Sequence, residues 1–310
     1  MSNGRFPILI GPRRTIIVMA MVALVAGACT AAAPAGSSPA ATATPAALPS
    51  ASTTPSADPS ALILRATQEG GFISPSALRT RMPIVSVFAD GRIMSVGATP
   101  AIYPGPLLPS IVFRSVGPAG AAGILKAAED AGLAHGDATY GPGPVPDGAT
   151  TVITVVHDGS QTISRFGSLE VQPVSSGSGT PDDQVRAAAA DLLTRLMGSD
   201  TFGGTAGAEG PYEPLGFQLF VSPGAPAPAD ANLGRPPLSW PLATPLASFG
   251  RSDELGGSGA RVGVVVGAEA AALGPILASA SEITPFTSGG QSWTIVVKPL
   301  LPDEVAAIGG

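Results

Sequence analysis

"ITPFTSGGQSWTIVV", residues 283–297, decides the fold class. Two β-forming runs meet at Gly289-Gly290, and a Gly-Gly pair supplies the positive φ angles that a tight two-residue hairpin turn demands. Beyond the turn, Trp293, Ile295 and Val297 alternate with Ser292, Thr294 and Lys298. A period of two with one apolar side predicts an antiparallel strand, one face on a core and the other wet. The device recurs twice. "IVSVFADGRIMSV" (84–96) turns at Asp90-Gly91, and "TVITVVHDGSQTISRF" (151–166) turns at Asp158-Gly159.

Helices are fewer. "TPDDQVRAAAADLLTRLMG" (180–198) lines up Val185, Ala188, Ala189, Leu192 and Leu196 as one apolar stripe. Thr180 suits the N-cap, Pro181 the first turn and Gly198 the stop. Asp182 with Arg186, and Asp191 with Arg195, have the i,i+4 spacing of helix ion pairs. A second helix is expected over 119–131, with Ala121, Ile124, Leu125 and Ala128 inward. A third starts near Ala268, with Pro275 expected to kink or split it. "SIVFRSV" (110–116), a helix and a hairpin follow one another, as do "RVGVVV" (261–266), a helix and a hairpin. The class is therefore α+β, with antiparallel sheets, about three helices, and the order of a duplicated β-α-β-β unit. Residues 62–310 are expected to form the globular part, with two halves meeting near 175–180.

The sole cysteine, Cys29, stands outside this part. Before it come Arg5, Arg13 and Arg14 and then "TIIVMAMVALVAGA" (15–28), an uncharged apolar run of 14 residues. That is the length of a signal-peptide core and short of the ~20 residues of a comfortable span. An apolar core, then Ala26-Gly27-Ala28, then Cys29 resembles the lipobox of bacterial lipoproteins, although Leu is usual where Ala26 stands. The resemblance implies a signal peptide at 1–28 and a diacylglyceryl group on the Cys29 sulfur. The alternatives are an ordinary signal cut near Ala28 and an uncleaved anchor. Residues 30–60 hold six prolines, one charge and no aromatic. They bury too little apolar surface to offset the entropy of ordering, so 29–61 reads as a disordered tether. It would span roughly 30 Å as a coil and ~95 Å as polyproline.

Composition narrows the function by exclusion. Once 1–28 are removed, 13 basic residues face 22 acidic ones, a net charge of −9 that argues against nucleic-acid binding. With one cysteine there is no disulfide framework and no thiolate metal site. His135 and His157 are the only histidines, and neither sits in a metal-ligand spacing. "GGSGA" (256–260) misses the GxSxG elbow at Ala260. The glycine clusters at 175–180 and 201–210 lack the lysine of a phosphate loop and read as loops. Asp182 and Asp183 are explained by a helix N-terminus, and Asp303-Glu304 by a solvated tail. Tyr103, Tyr140, Tyr212, Trp240 and Trp293 are the aromatics that could stack on a ligand. Trp293 is expected in the core, and Trp240 is expected to pin a loop.

The segments "LRATQEGGFISP", "VSVFADGRIM", "YPGPLLP", "SWPLATPLASFG" and "TPFTSGGQSWTIVVKPLLPDE" resemble an uncharacterised family of secreted or lipid-anchored proteins of high-GC bacteria. The resemblance spans residues 62–304 and implies a shared fold; it assigns no activity, cofactor or catalytic residue. The expected function is lipid-anchored, extracytoplasmic and non-enzymatic binding at the cell surface. Its partners would be the membrane, through Cys29, and a protein or cell-envelope component. No cofactor is expected. The alternative is an anchored hydrolase whose site pairs His157 or His135 with a serine and a carboxylate from distant loops.

Overall fold

A computed structural model describes residues 58–141, 147–169, 179–226 and 233–309. Cys29, the leader, the tether up to residue 57 and part of the glycine-rich loops at 136–149 and 175–180 lie outside the described residues.

Two sheets carry the fold, and α+β is the class found. The first has eight strands in the order β5-β7-β6-β1-β2-β3-β4-β8. These are β1 (Leu62–Glu69), β2 (Val85–Phe88), β3 (Arg92–Val96), β4 (Ile111–Ser115), β5 (Ala138–Tyr140), β6 (Thr150–His157), β7 (Ser160–Gly167) and β8 (Glu209–Pro211). The second has six, ordered β10-β13-β14-β9-β12-β11. They are β9 (Gly216–Pro223), β10 (Leu238–Ser239), β11 (Arg251–Ser252), β12 (Arg261–Val266), β13 (Phe286–Ser288) and β14 (Gln291–Pro299). Pairing is antiparallel except at two edges, where β5 joins β7 and β10 joins β13 in parallel.

The strand–helix–hairpin order does recur, but its seating differs. In the first sheet the leading hairpin strand, β6, lies inward against β1; in the second it is the trailing strand, β14, that lies inward against β9. Three strands separate β4 from its hairpin in the first sheet, and one separates β12 from its own in the second.

Each sheet buries one face under helices. α2 (Gly117–Asp130) and α3 (Pro181–Met197) cover the first, placing Ile124, Ala128, Ala189, Leu192 and Leu196 on Leu64, Ala66, Val85, Val87, Ile93 and Ile153. α4 (Gly267–Ser279) covers the second, with Leu273 and Leu277 on Phe217, Leu219, Trp293, Ile295 and Val297. α3 thus belongs to the first sheet's core, and the chain passes to the second sheet between β8 and β9. Burial follows the two periods read from the sequence, and at ~25 cal/mol per Å² of apolar surface it is the main favourable term.

Local chemistry explains most boundaries. Thr180 and Asp183 form a reciprocal capping box at the start of α3. Asp158-Gly159 and Gly289-Gly290 have positive φ at both positions, as two-residue turns require. Asp90-Gly91 differs. There the Gly91 N–H closes a turn on the Phe88 carbonyl at 2.9 Å, and Gly91 alone takes positive φ (84°). A Cβ at Gly91 would lie 2.2 Å from the Gly117 carbonyl oxygen, so the hairpin tip sits against the start of α2. The expected split at Pro275 is not found: α4 is continuous over Gly267–Ser279. Pro275 and Ala271 both lie on its exposed side, where water can satisfy the Ala271 carbonyl freed by the missing N–H. The Asp182–Arg186 pair also gives way. Arg186 donates to the Gly167 and Tyr140 carbonyls at 2.8 and 2.9 Å, fastening α3 to β7 and β5.

The two sheets clasp each other. α1 (Pro75–Thr80), from the first part of the chain, packs on β14; its Arg79 pairs with Asp253 and lies 5.4 Å over the Phe220 ring. α5 (Pro302–Gly309), from the end of the chain, crosses back to the first sheet. Leu301 is buried against Phe88, Met94 and Ile111 on the face away from α2 and α3. Asp303 accepts from Arg65 of β1 at 2.8 Å, while Glu304 accepts from Lys298 of β14 at 2.7 Å and from the Leu301 N–H at 2.8 Å. The acidic pair read as a solvated tail therefore joins one sheet to the other.

Candidate functional site

His157 ends β6 and is exposed at the hairpin tip. Its Nδ1 lies 3.1 Å from Glu129 Oε1 of α2, and its Nε2 lies 3.5 Å from Asp158 Oδ2. A nucleophile–His–carboxylate relay needs one ring nitrogen on the nucleophile; here both face carboxylates. His135 is exposed in the α2–β5 connection. Among the described residues, no three of His, Cys, Asp and Glu gather as a metal would require.

A partly buried charge lies at the C-terminal end of α3. Arg114 of β4 donates to the carbonyls of Asp200, Arg195 and Leu196 at 2.8, 3.4 and 3.1 Å. Burial pushes its pKa down, and Asp200 and Glu209 oppose that. The guanidinium caps the Leu196 carbonyl and shares the Arg195 carbonyl with the Gly198 N–H, in the last turn of α3. Asp200 accepts from the Phe202 N–H and from Arg195 Nε, each at 2.7 Å, and the first of these chiefly holds its carboxyl below the usual range. These groups stabilise the fold and already have their partners.

Of the five aromatics singled out, four are packed. Tyr140 stacks on Phe166 at 4.6 Å. Tyr212 donates its hydroxyl to the Leu300 carbonyl, and burial raises its pKa. Trp240 donates to the Thr244 carbonyl and meets Phe249 edge-on, pinning its loop as expected. Trp293 is in the core, its Nε1 unpartnered. Tyr103 alone is more than half exposed, at 52%.

Tyr103 lines a groove of about 650 Å³. One wall is the start of α1, with Ser74, Ala77 and Thr80. The second is the β3–β4 connection, with Thr99, Tyr103, Pro106, Leu107 and Pro109. The floor is β14 with Glu282 and Ile283. A small β-like clamp fixes the second wall to the floor. The Gly105 N–H donates to Glu282 Oε1, the Glu282 N–H donates to the Gly105 carbonyl, and the Leu107 N–H donates to the Ala280 carbonyl, all at 3.0 Å. The size suits a drug-sized ligand or a few side chains, and apolar walls with a few polar groups are the ordinary make-up of a binding site.

Around this groove the surface turns apolar. Twelve large hydrophobic side chains are exposed among the described residues. Of these, Tyr103 lines the groove, Leu78 and Ile102 lie within the two wall segments, and Phe72 and Ile73 come just before the first. Phe72 follows Gly70-Gly71 and is wholly exposed. Apolar residues scattered singly need no explanation, whereas a concentration of them does. Glu282 is the only charged residue on the lining, and the nearby arginines are engaged: Arg79 with Asp253, and Arg81 with the Gln68 and Gly70 carbonyls.

Sequence reading singled out Tyr103 as one of five aromatics that could stack on a ligand but missed the groove. Its parts come from residues 74–80, 99–109 and 282–297, brought together by the packing of α1 on β14 and the clamp between Gly105 and Glu282. Among the described residues no helix is long and apolar enough to cross a membrane. Comparison with protein-family models, with curated proteins and with solved structures returns no match.

Proposed function

We propose that this is a lipid-anchored extracytoplasmic protein that binds a partner at the cell surface through the groove between α1 and β14, without catalysis of its own. The observation that carries the reading is the groove itself, lined by exposed Tyr103, with Phe72, Ile73, Leu78 and Ile102 exposed on or next to its two wall segments. Position supports it. The described chain enters at Asp58, beside the start of β1, whereas α1 and the β3–β4 connection lie at the other end of that strand. Eight residues of strand separate the two ends by about 25 Å.

The anchor and the binding surface are tested separately. Wild type and Cys29→Ser are partitioned between detergent and aqueous phases; equal aqueous recovery of both would refute lipidation. An apolar reporter dye such as bis-ANS should brighten on wild type and lose most of its enhancement on the Phe72→Ser/Ile102→Ser pair. A Met197→Ser control, exposed at the end of α3 and off the groove lining, should leave it unchanged. Equal dye response in all three proteins would refute the groove as the accessible apolar surface.

A further inference from the structure

We infer that the groove takes an extended, positively charged peptide segment with apolar side chains; this rests on the binding reading above. The lining carries one carboxylate, Glu282, and no lysine or arginine, on a chain of net charge −6. Glu282 Oε1 is occupied by the Gly105 N–H at 3.0 Å. No hydrogen bond to its other oxygen, Oε2, is found among the described residues, and Tyr103, two residues before Gly105, lines the same groove. A carboxylate oxygen beside an exposed phenol ring is a receptor for an ammonium or guanidinium, which pairs with the oxygen and sits against the ring face. Leu107, Ile283 and Val296 supply an apolar floor beside it.

A peptide fits better than the other occupants. Leu78 and Ile102, within the two wall segments, and Phe72 and Ile73, just before the first, are exposed apolar side chains outside the groove lining, so an occupant that covers them reaches beyond what a small molecule in the groove would fill. An anionic membrane surface draws on free basic side chains, and here Arg79 and Arg81 are already engaged. A second copy docked symmetrically would bring two Glu282 carboxylates into one interface, which is unfavourable without a cation between them.

The test uses the full chain and three fluorescein-labelled ten-residue peptides on one Leu/Pro skeleton, carrying two lysines, two serines or two glutamates, read by fluorescence polarisation. The lysine peptide should bind at least tenfold tighter than the glutamate peptide. Its advantage should shrink between 50 and 500 mM salt, as expected for a screened pair. Glu282→Gln keeps the acceptor for the Gly105 N–H and should cost the lysine peptide at least fivefold while sparing the serine peptide. Ala77→Trp, at an exposed lining position, should block every peptide; an unchanged thermal midpoint certifies that each variant is folded. Equal affinity for all three peptides, still blocked by Ala77→Trp, overturns the charge preference and leaves the binding reading standing. Lysine-peptide binding indifferent to both variants overturns the assignment to this groove. Absence of binding by any peptide overturns the peptide class, and the dye experiment then decides the binding reading by itself.

Discussion

Leu301→Ala tests whether the clasp between the sheets holds the fold together. Leu301 is 2% exposed and closes a small cluster with Phe88, Met94 and Ile111 on the first sheet. Truncation removes three carbons. At ~0.8 kcal/mol each the transfer loss is about 2.4 kcal/mol, and a residual cavity adds to it, in the range of about 2–5 kcal/mol for buried Leu→Ala changes. Two features keep the cavity term small. The existing void beside Leu301 is only about 10 Å³, and Met82 and Met94 border it with adaptable side chains. About 3 kcal/mol is the expected loss, or roughly 6–12 °C in Tm for a domain of this size. Trp240 and Trp293 both lie in the second sheet's core, so tryptophan fluorescence reports unfolding on the side away from the mutation. Urea titration followed by fluorescence and by far-ultraviolet circular dichroism should show both transitions moving together. If the fluorescence transition stays at its wild-type midpoint while the dichroism shifts, the sheets unfold independently and the clasp does not couple them. A loss below about 1 kcal/mol by both probes would refute the packing role of Leu301 itself.

Two further predictions concern conformation and charge. Gly290→Ala, at φ +76° with open space around it, should cost about 1–2 kcal/mol of left-handed strain. Gly91→Ala at φ +84° must also displace the Gly117 carbonyl; with overpacking included, about 2–5 kcal/mol should be lost in urea unfolding. Similar costs for the two would refute the close approach of the hairpin tip to α2. Asp200 is held below its ordinary value of 3.8, so its contribution is fully present above that value and is lost as pH falls through the lower folded one. The Tm gap between wild type and Asp200→Asn should therefore be constant above about pH 5 and close as pH drops below 4; a gap that widens in acid would contradict the sign.

What the sequence made legible was whatever depends on neighbours along the chain. The Gly289-Gly290 and Asp158-Gly159 turns, the alternation of Trp293, Ile295 and Val297, the N-cap at Thr180 and the stripe of Ala189, Leu192 and Leu196 are local geometry, and they stand in the structure as read. Asp90-Gly91 was legible as a turn but not as a turn pressed against α2, because Gly117 is 26 positions away. Arg186 left Asp182 for two carbonyls that no i,i+4 rule contains. Asp303 and Glu304 looked like a tail because the partners that give them meaning, Arg65 and Lys298, sit on different sheets.

The groove is an extreme case of the same rule. Nothing along the chain links Ser74 and Ala77 with Tyr103 and Pro106, or either with Glu282. The packing of α1 on β14 and the clamp between Gly105 and Glu282, 177 residues apart, turn a short helix, a loop and a strand into two walls and a floor. The sequence did hold one usable sign, the wasteful placing of Phe72, Ile73 and Ile102 in glycine- and proline-rich segments where no strand or helix needs them. Large apolar side chains exposed on connecting segments gain nothing from the core, and their concentration at one end of β1 is the feature on which the proposed binding reading rests.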